Sequence, residues 1–144
     1  MAKLYLDIDG VLLTAKHTRA APGVDEFVEF ITQHFGCYWL TTHCKGDSTT
    51  ALRYLCRFLK PATLERLRQA VQPTNWHTLK TEAIDLASNF YWLDDMPFQS
   101  ELAYLQAHGV ADRLLIVDLN RPGELAIIQQ QLISAAHFPF NILR

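Results

Sequence analysis

The sequence predicts an α/β fold with a mostly parallel sheet covered by helices on both sides. Short apolar runs typical of buried strands alternate along the chain with segments whose apolar residues recur at helical spacing. No internal repeat or flexible linker interrupts this alternation, which favours right-handed crossovers between parallel strands. A chain of 144 residues with 49% hydrophobic content can build one core, so we expect a single domain over residues 1–144.

The first third of the chain predicts a β-α-β unit. Residues 4–6 form an apolar run, and a helix follows between the Pro22-Gly23 pair and Gly36. Its apolar positions share one face: Val24, Phe27, Val28, Ile31 and Phe35. Residues 37–41 follow at once as a second buried strand that ends in hydroxyl residues.

The remaining elements continue the alternation. Helical spacing marks residues 48–59, and Pro61 opens a shorter helix that Pro73 ends. Helices are also expected at residues 79–87, 98–108 and 122–136, and strands at residues 90–93 and 113–118. The tail, residues 137–144, is apolar enough to dock on the domain.

Composition excludes several classes of protein. A formal net charge of −2 gives no general attraction to nucleic acid, so such a substrate would need a local basic patch. The cysteines Cys37, Cys44 and Cys56 lack the paired short spacing of a zinc site and are expected to be reduced thiols. With no leader-like start and no apolar stretch that could span a bilayer, we expect a soluble, cytoplasmic protein.

Reactive side chains follow each of the first three predicted strands. Because the carboxyl ends of parallel strands meet at one edge of the sheet, these side chains should converge there. Lys80, between the second and third of these strands, lies near the start of a predicted helix whose amino end should point toward the same edge. The set comprises Asp7 and Asp9, Thr41 and Thr42, Asp94 and Asp95, and Lys80.

These residue types suit phosphoryl transfer, which needs a cation and fixed donors around the transferring group. Asp7 is the candidate nucleophile, and Asp9 the candidate general acid and base. Asp7 and Asp94 are the expected carboxylate ligands of Mg²⁺, while Asp95 either ligates through water or orients the lysine. Thr41 can donate a hydrogen bond to a phosphate oxygen, and Lys80 can offset the negative charge.

Together these motifs resemble those of the haloacid dehalogenase superfamily of phosphohydrolases. DIDGVL at residues 7–12 is similar to its first motif, Leu40-Thr41 to its second, Lys80 to its third, and LDD at residues 93–95 to its fourth. The resemblance covers residues 1–120 and implies a Rossmann-like three-layer sandwich, an aspartyl-phosphate intermediate and magnesium. It also implies that the main-chain carbonyl of Asp9 joins the metal shell. In the second motif, either Thr41 or Thr42 fits the phosphate ligand.

The chain has no room for the cap domain that this superfamily often carries between its motifs. An uncapped site favours, by analogy with the family, a large phosphorylated substrate such as a nucleic-acid end or a phosphoprotein. A small substrate such as a nucleotide remains compatible if a partner covers the edge. The loop of residues 14–21 carries Lys16, His17 and Arg19 directly after the aspartates, where a flap could close.

Further polar residues allow both functional and structural interpretations. His43 and Lys45 follow the second strand and could contact the leaving group, or belong to a polar loop. Three basic residues at helical spacing could guide an anionic substrate or form a solvated face, and Arg121 could bind an anion or cap the last helix. The three are Arg53, Arg57 and Lys60. The rival function is a noncatalytic metal-binding regulatory or interaction module.

Overall fold

A computed structural model describes residues 1–136 and contains a five-stranded, all-parallel sheet flanked by helices. The α/β prediction with a Rossmann-like layered arrangement is therefore confirmed. The sheet order is β3-β2-β1-β4-β5. The strands are β1 (Lys3–Leu6), β2 (Gly36–Trp39), β3 (Val71–Gln72), β4 (Phe90–Asp94) and β5 (Leu114–Ile116).

Within residues 1–136, five α-helices connect and cover the strands, and their positions follow the apolar periodicity of the sequence. Gly23, with φ of 78°, precedes the first helix, and Pro61 begins the third. The helices are α1 (Val24–His34), α2 (Thr49–Leu55), α3 (Pro61–Ala70), α4 (Gln99–Ala107) and α5 (Glu124–Ala136). Short 3₁₀ helices occupy Lys80–Ala83 and Ala111–Arg113.

The central strand β1 determines where the candidate site residues meet. It pairs with β2 on one side and with β4 on the other. The strands β2 and β3 are added on one side of β1 and the strands β4 and β5 on the other, so the strand order reverses between β1 and β4. Leu6 lies opposite Leu93, and the N–H of Asp7 donates to the carbonyl oxygen of Leu93 at 3.1 Å. Asp7 thus lies beside Asp94, in the crevice at the sheet's carboxyl edge where such folds bind ligands.

Alternating side chains of the strands supply two apolar cores, one on each face of the sheet. Leu4 and Leu6 belong to the larger core, which includes side chains of α1, α3 and α5, whereas Tyr5 belongs to the smaller one. Trp39 and Trp92 are fully buried on opposite faces of the sheet. This burial on both faces holds the ends of β1 and β4 in place.

Three expectations from the sequence were wrong in part. Residues 71–72 form a fifth strand at the edge of the sheet, which is too short to show the alternation of a strand. The helix expected over residues 79–87 is only the 3₁₀ turn Lys80–Ala83. Ile84 leaves it with extended backbone, and Asp85 turns the chain by accepting the N–H of Ala87 and the hydroxyl of Ser88.

The helix expected over residues 48–59 is also shorter, since α2 stops at Leu55.

All three cysteines are free thiols, with Cys37 and Cys44 buried and Cys56 exposed. Within residues 1–136, no helix combines the length and apolar character needed to cross a membrane. The predicted docking of residues 137–144 lies outside the described residues.

Candidate active site

Three carboxylates and one ammonium group form what we call the carboxylate centre: Asp7, Asp94, Asp95 and Lys80. Carboxylate oxygens of the three aspartates lie within 4.8 Å of one another. Lys80 Nζ donates to Asp7 Oδ2 at 3.0 Å and to Asp94 Oδ2 at 2.7 Å. Asp7 is 8% exposed and Asp94 only 1%, so these ion pairs are shielded from water.

Burial and like charge both act on Asp7. The low-polarity surroundings, followed by the nearby charge of Asp94, raise the pKa of Asp7 to about 6, although Lys80 and the Ile8 N–H oppose this rise. That N–H donates to Asp7 Oδ1 at 2.7 Å and orients the carboxylate. Asp7 is therefore mainly ionised at neutral pH, as a carboxylate nucleophile must be.

Lys80 remains charged in this centre. Burial lowers its pKa, but the attraction of Asp7 and Asp94 outweighs burial and raises the pKa above its ordinary value. Glu101, which is 2% exposed, holds the backbone of Lys80 in position. One Glu101 oxygen accepts the N–H of Lys80 at 2.7 Å, and the other accepts the N–H of Phe98, which precedes α4, at 2.8 Å. A single buried carboxylate thus ties the start of α4 to the lysine.

Gly10 allows the chain to pass close beside Asp95. Its φ is 82°, in the left-handed region, and a Cβ at this position would overlap the Asp95 carboxylate. The pKa of Asp95 is raised by its partial burial and then by the charge of Asp94. Any larger residue at position 10 would therefore displace a member of the carboxylate centre.

The carboxylate centre has the chemistry of a site for a hard divalent cation. Its donors are oxygens, which suit Mg²⁺, and three carboxylates face one ammonium group, so negative charge is left uncompensated at neutral pH. Burial, and after it the charge of Asp94, raise the pKa of Asp7 even with Lys80 beside it, so a further cation would favour the ionised form. The residues present therefore fit the predicted metal.

Asp9 lies in a different environment, the Asp9 corner, formed with His43 and Tyr54. His43 Nε2 is 2.8 Å from Asp9 Oδ2, and the Tyr54 hydroxyl donates to Asp9 Oδ1 at 2.7 Å. The rings of His43 and Tyr54 stack with their centroids 4.1 Å apart. The Asp9 side chain is 40% exposed, so it is oriented by neighbours yet open to solvent. Such a carboxylate can exchange protons with a bound substrate or water.

The two threonines after β2 differ in exposure. Thr41 is fully buried, and its hydroxyl oxygen accepts the N–H of His43 at 3.3 Å. Within residues 1–136 the Thr41 hydroxyl hydrogen has no acceptor and can be donated to a ligand. Thr42 is exposed. Both remain candidates for a phosphate contact.

Other predicted candidates lie outside both regions. Lys45 reaches the carbonyl oxygen of His77 at 3.2 Å and lies over the ring of Trp76, so it belongs to the loop structure. Arg53 and Arg57 are exposed, and Lys60 pairs with Asp25 at 3.5 Å. Arg121 lies 3.5 Å from Asp118 and 3.6 Å from Glu124 in the first turn of α5, which agrees with the capping interpretation.

A groove of about 740 Å³ on α5 carries no titratable side chain and therefore offers no catalytic group. It is lined by Ala126, Ile127, Gln130, Gln131, Ser134 and Ala135. The carboxylate centre and the Asp9 corner lie instead at the carboxyl edge of the sheet.

Sequence reasoning missed two residues of the site. Glu101 stands three residues after Phe98, the position from which a glutamate accepts the N–H at the start of a helix, and this signal was available. Tyr54 gave no such signal, because its contact with Asp9 joins residues 45 positions apart.

In comparisons with known proteins, neither a family model nor a curated protein matches this chain.

Proposed function

We propose that the chain is a magnesium-dependent phosphatase of the haloacid dehalogenase type that hydrolyses a phosphomonoester through an aspartyl-phosphate intermediate. The observation that supports this most directly is the placement of Lys80 between Asp7 and Asp94 at 3.0 and 2.7 Å. A lysine, a buried carboxylate and further carboxylate ligands at the ends of adjacent parallel strands are the groups that phosphoryl transfer needs.

The metal would be held by Asp7, Asp94 and Asp95, together with the main-chain carbonyl of Asp9. When bound, Mg²⁺ supplies positive charge against the phosphoryl oxygens. Lys80 adds a second positive charge, and the Thr41 hydroxyl offers a hydrogen bond to a phosphate oxygen. These contacts bind and orient the phosphoryl group.

Asp7 then attacks phosphorus, and the bond to the alcohol oxygen breaks as Asp9 donates a proton to that oxygen. In the second step Asp9 takes a proton from water, whose oxygen attacks phosphorus, and inorganic phosphate leaves as the Asp7 carboxylate is restored. His43 and Tyr54 orient Asp9 through their hydrogen bonds to both of its oxygens. The substrate contacts predicted for Thr42 and His43 complete the proposed site.

A phosphatase screen with and without magnesium tests the proposal. Phosphorylated sugars, nucleotides, peptides and oligonucleotide ends, with p-nitrophenyl phosphate as a generic substrate, are incubated with the full chain in Mg²⁺ or in EDTA, and released phosphate is measured. We expect release only with Mg²⁺. Asp7→Asn should lower turnover by at least about a thousandfold, since it removes the nucleophile.

Asp112→Asn is the matched control, because Asp112 is exposed on the short 3₁₀ helix Ala111–Arg113 and should keep full activity. Circular dichroism of both variants verifies the fold. Activity retained by Asp7→Asn, or turnover independent of Mg²⁺, contradicts the assigned mechanism. Magnesium binding without phosphate release from any substrate supports the noncatalytic module instead.

A further inference from the structure

Next to the carboxylate centre lies a cleft, which we call the basic cleft. Its volume is about 640 Å³, within the range of small-molecule binding sites. One wall is the loop of residues 14–19 and the other is the segment of residues 116–121 after β5. Gly10 and Asp95 line its inner end, so the cleft opens directly from the carboxylate centre.

The loop over the cleft is well defined by its own hydrogen bonds. The N–H of Thr14 donates to the carbonyl oxygen of Arg19 at 2.9 Å, and the Thr14 hydroxyl accepts the N–H of Arg19 at 3.2 Å. His17 adopts a left-handed conformation with φ of 55°, which tightens the turn. Lys16 and Arg19 are therefore carried on a compact hairpin that borders the cleft.

The charges in the cleft are unevenly compensated. Arg121 on the far wall already pairs with Asp118 and Glu124 at 3.5 and 3.6 Å. Within residues 1–136, the side chains of Lys16 and Arg19 make neither a hydrogen bond nor an ion pair. The remaining acid, Asp95, belongs to the carboxylate centre, where three acids face one lysine. Two cations of the cleft are thus free to bind an anion.

Exposed apolar side chains also line the cleft. Met96 is 79% exposed and Ile116 is 45% exposed, and both line the cleft. A ligand there can place apolar atoms against these side chains while an anionic group reaches the hairpin.

We propose that the basic cleft binds the alcohol part of the phosphomonoester, and that this part carries a second phosphate group recognised by Lys16 and Arg19. The inference rests on the proposed function, since it takes the first phosphoryl group to lie at the carboxylate centre. A bisphosphorylated small molecule and a phosphorylated oligonucleotide end share this chemistry, because both carry a second phosphate beyond the scissile one.

Matched substrates test the inference. Butyl phosphate and butane-1,4-diol bisphosphate differ in the second phosphate. For both, kcat/KM is measured with the full chain in Mg²⁺ and is divided by the number of scissile phosphate groups in the molecule. We expect the bisphosphate to be preferred at least about tenfold, because each exposed cation can make a charge-assisted contact with the second phosphate. The preference should shrink at high ionic strength because the cations are exposed.

In the double variant Lys16→Ala/Arg19→Ala, the ratio of the two kcat/KM values should fall to about one. Lys3→Ala/Arg113→Ala is the charge-matched control, since Lys3 begins β1 and Arg113 precedes β5 at the opposite edge of the sheet. This control should keep the wild-type ratio. A terminally phosphorylated dinucleotide and its nucleoside monophosphate form a second pair, and comparison of the two ratios distinguishes a small bisphosphate from a nucleic-acid end.

A wild-type ratio of one for both pairs, or a ratio that survives in Lys16→Ala/Arg19→Ala, overturns the cleft assignment. Magnesium-dependent hydrolysis of p-nitrophenyl phosphate distinguishes this failure from that of the proposed function. If that hydrolysis occurs without any bisphosphate preference, only the cleft assignment is wrong. If no phosphomonoester is hydrolysed, the proposed function and the cleft assignment are both overturned.

Discussion

Asp7 and Asp9 are two residues apart, but the structure gives their carboxylates different surroundings. Asp7 is buried against Asp94 and receives hydrogen bonds from Lys80 and a backbone N–H. Asp9 is 40% exposed and is held by a histidine and a tyrosine. The proposed mechanism uses this difference as a division of labour, in which the carboxylate centre binds the charged groups and the Asp9 corner transfers protons.

Replacing Asp9 should separate the two roles most sharply. We expect Asp9→Asn to lower steady-state turnover of an alkyl phosphate by about 10²–10⁴-fold, the usual contribution of a general acid and base. With p-nitrophenyl phosphate, whose leaving group needs no proton, a burst of one nitrophenolate per site should precede slow turnover. Rapid-mixing absorbance measures the burst. Equal slowing of the burst and of steady-state turnover would contradict the division of labour.

Removing Lys80 should lower the free energy of unfolding, because the carboxylate centre loses its only side-chain cation. In Lys80→Ala, Asp7 and Asp94 lose their common cation, so we expect the free energy of unfolding at pH 8 to fall by about 3 kcal/mol. Added Mg²⁺ should restore part of the loss. Urea titrations with and without Mg²⁺ measure both effects.

Lys3→Ala is the control for this variant. Lys3 pairs with Asp85 at 3.3 Å, but both side chains are partly exposed, so its removal should change stability little. An unfolding free energy of Lys80→Ala equal to that of Lys3→Ala would mean that the buried ion pairs do not hold the carboxylate centre together.

The pKa of Asp7 predicts how stability depends on pH. Since the pKa rises from 3.8 to about 6 on folding, protonated Asp7 favours the folded state, and this stabilisation is complete below pH 3.8. It is lost as the pH rises through about 6, with a change of roughly 3 kcal/mol. In EDTA, Asp7→Asn should lose less stability than the wild type between pH 4 and pH 8, by about this amount.

Denaturant titrations across this pH range measure the difference, and Asp112→Asn should follow the wild-type curve because Asp112 is exposed. The opposite sign, with Asp7→Asn losing more stability at high pH, would mean that the attraction of Lys80 outweighs burial and Asp94.

Tyr54→Phe should have the smallest effect. It removes the hydroxyl that donates to Asp9 at 2.7 Å and leaves the stacked ring in place. We expect kcat to fall about tenfold with little change in KM, since the loss concerns orientation of the proton donor. Tyr104→Phe, on the exposed side of α4, should keep wild-type kinetics. Unchanged kcat in Tyr54→Phe would mean that the tyrosine hydroxyl does not orient Asp9 for proton transfer.

The sequence alone predicted the fold class and, within residues 1–136, four of the five strands and most of the helices. Buried strands and amphipathic helices leave periodic patterns of apolar residues, and these patterns are local. The two-residue strand β3 left no such pattern. The helix expected over residues 79–87 ends at Ala83, because Ile84 has extended backbone and the chain turns at Asp85. The sequence also predicted that the polar residues after the central strands lie near one another, because parallel strands bring their carboxyl ends to one edge.

Only the tertiary structure decided how those residues are paired. The register of β1 with β4 brings Asp7 beside Asp94, and Glu101 on α4 holds the backbone of Lys80, which pairs with both aspartates. Tyr54 reaches Asp9 from a helix far along the chain. Contacts of this kind join distant segments and depend on packing against two apolar cores, so no local pattern encodes them.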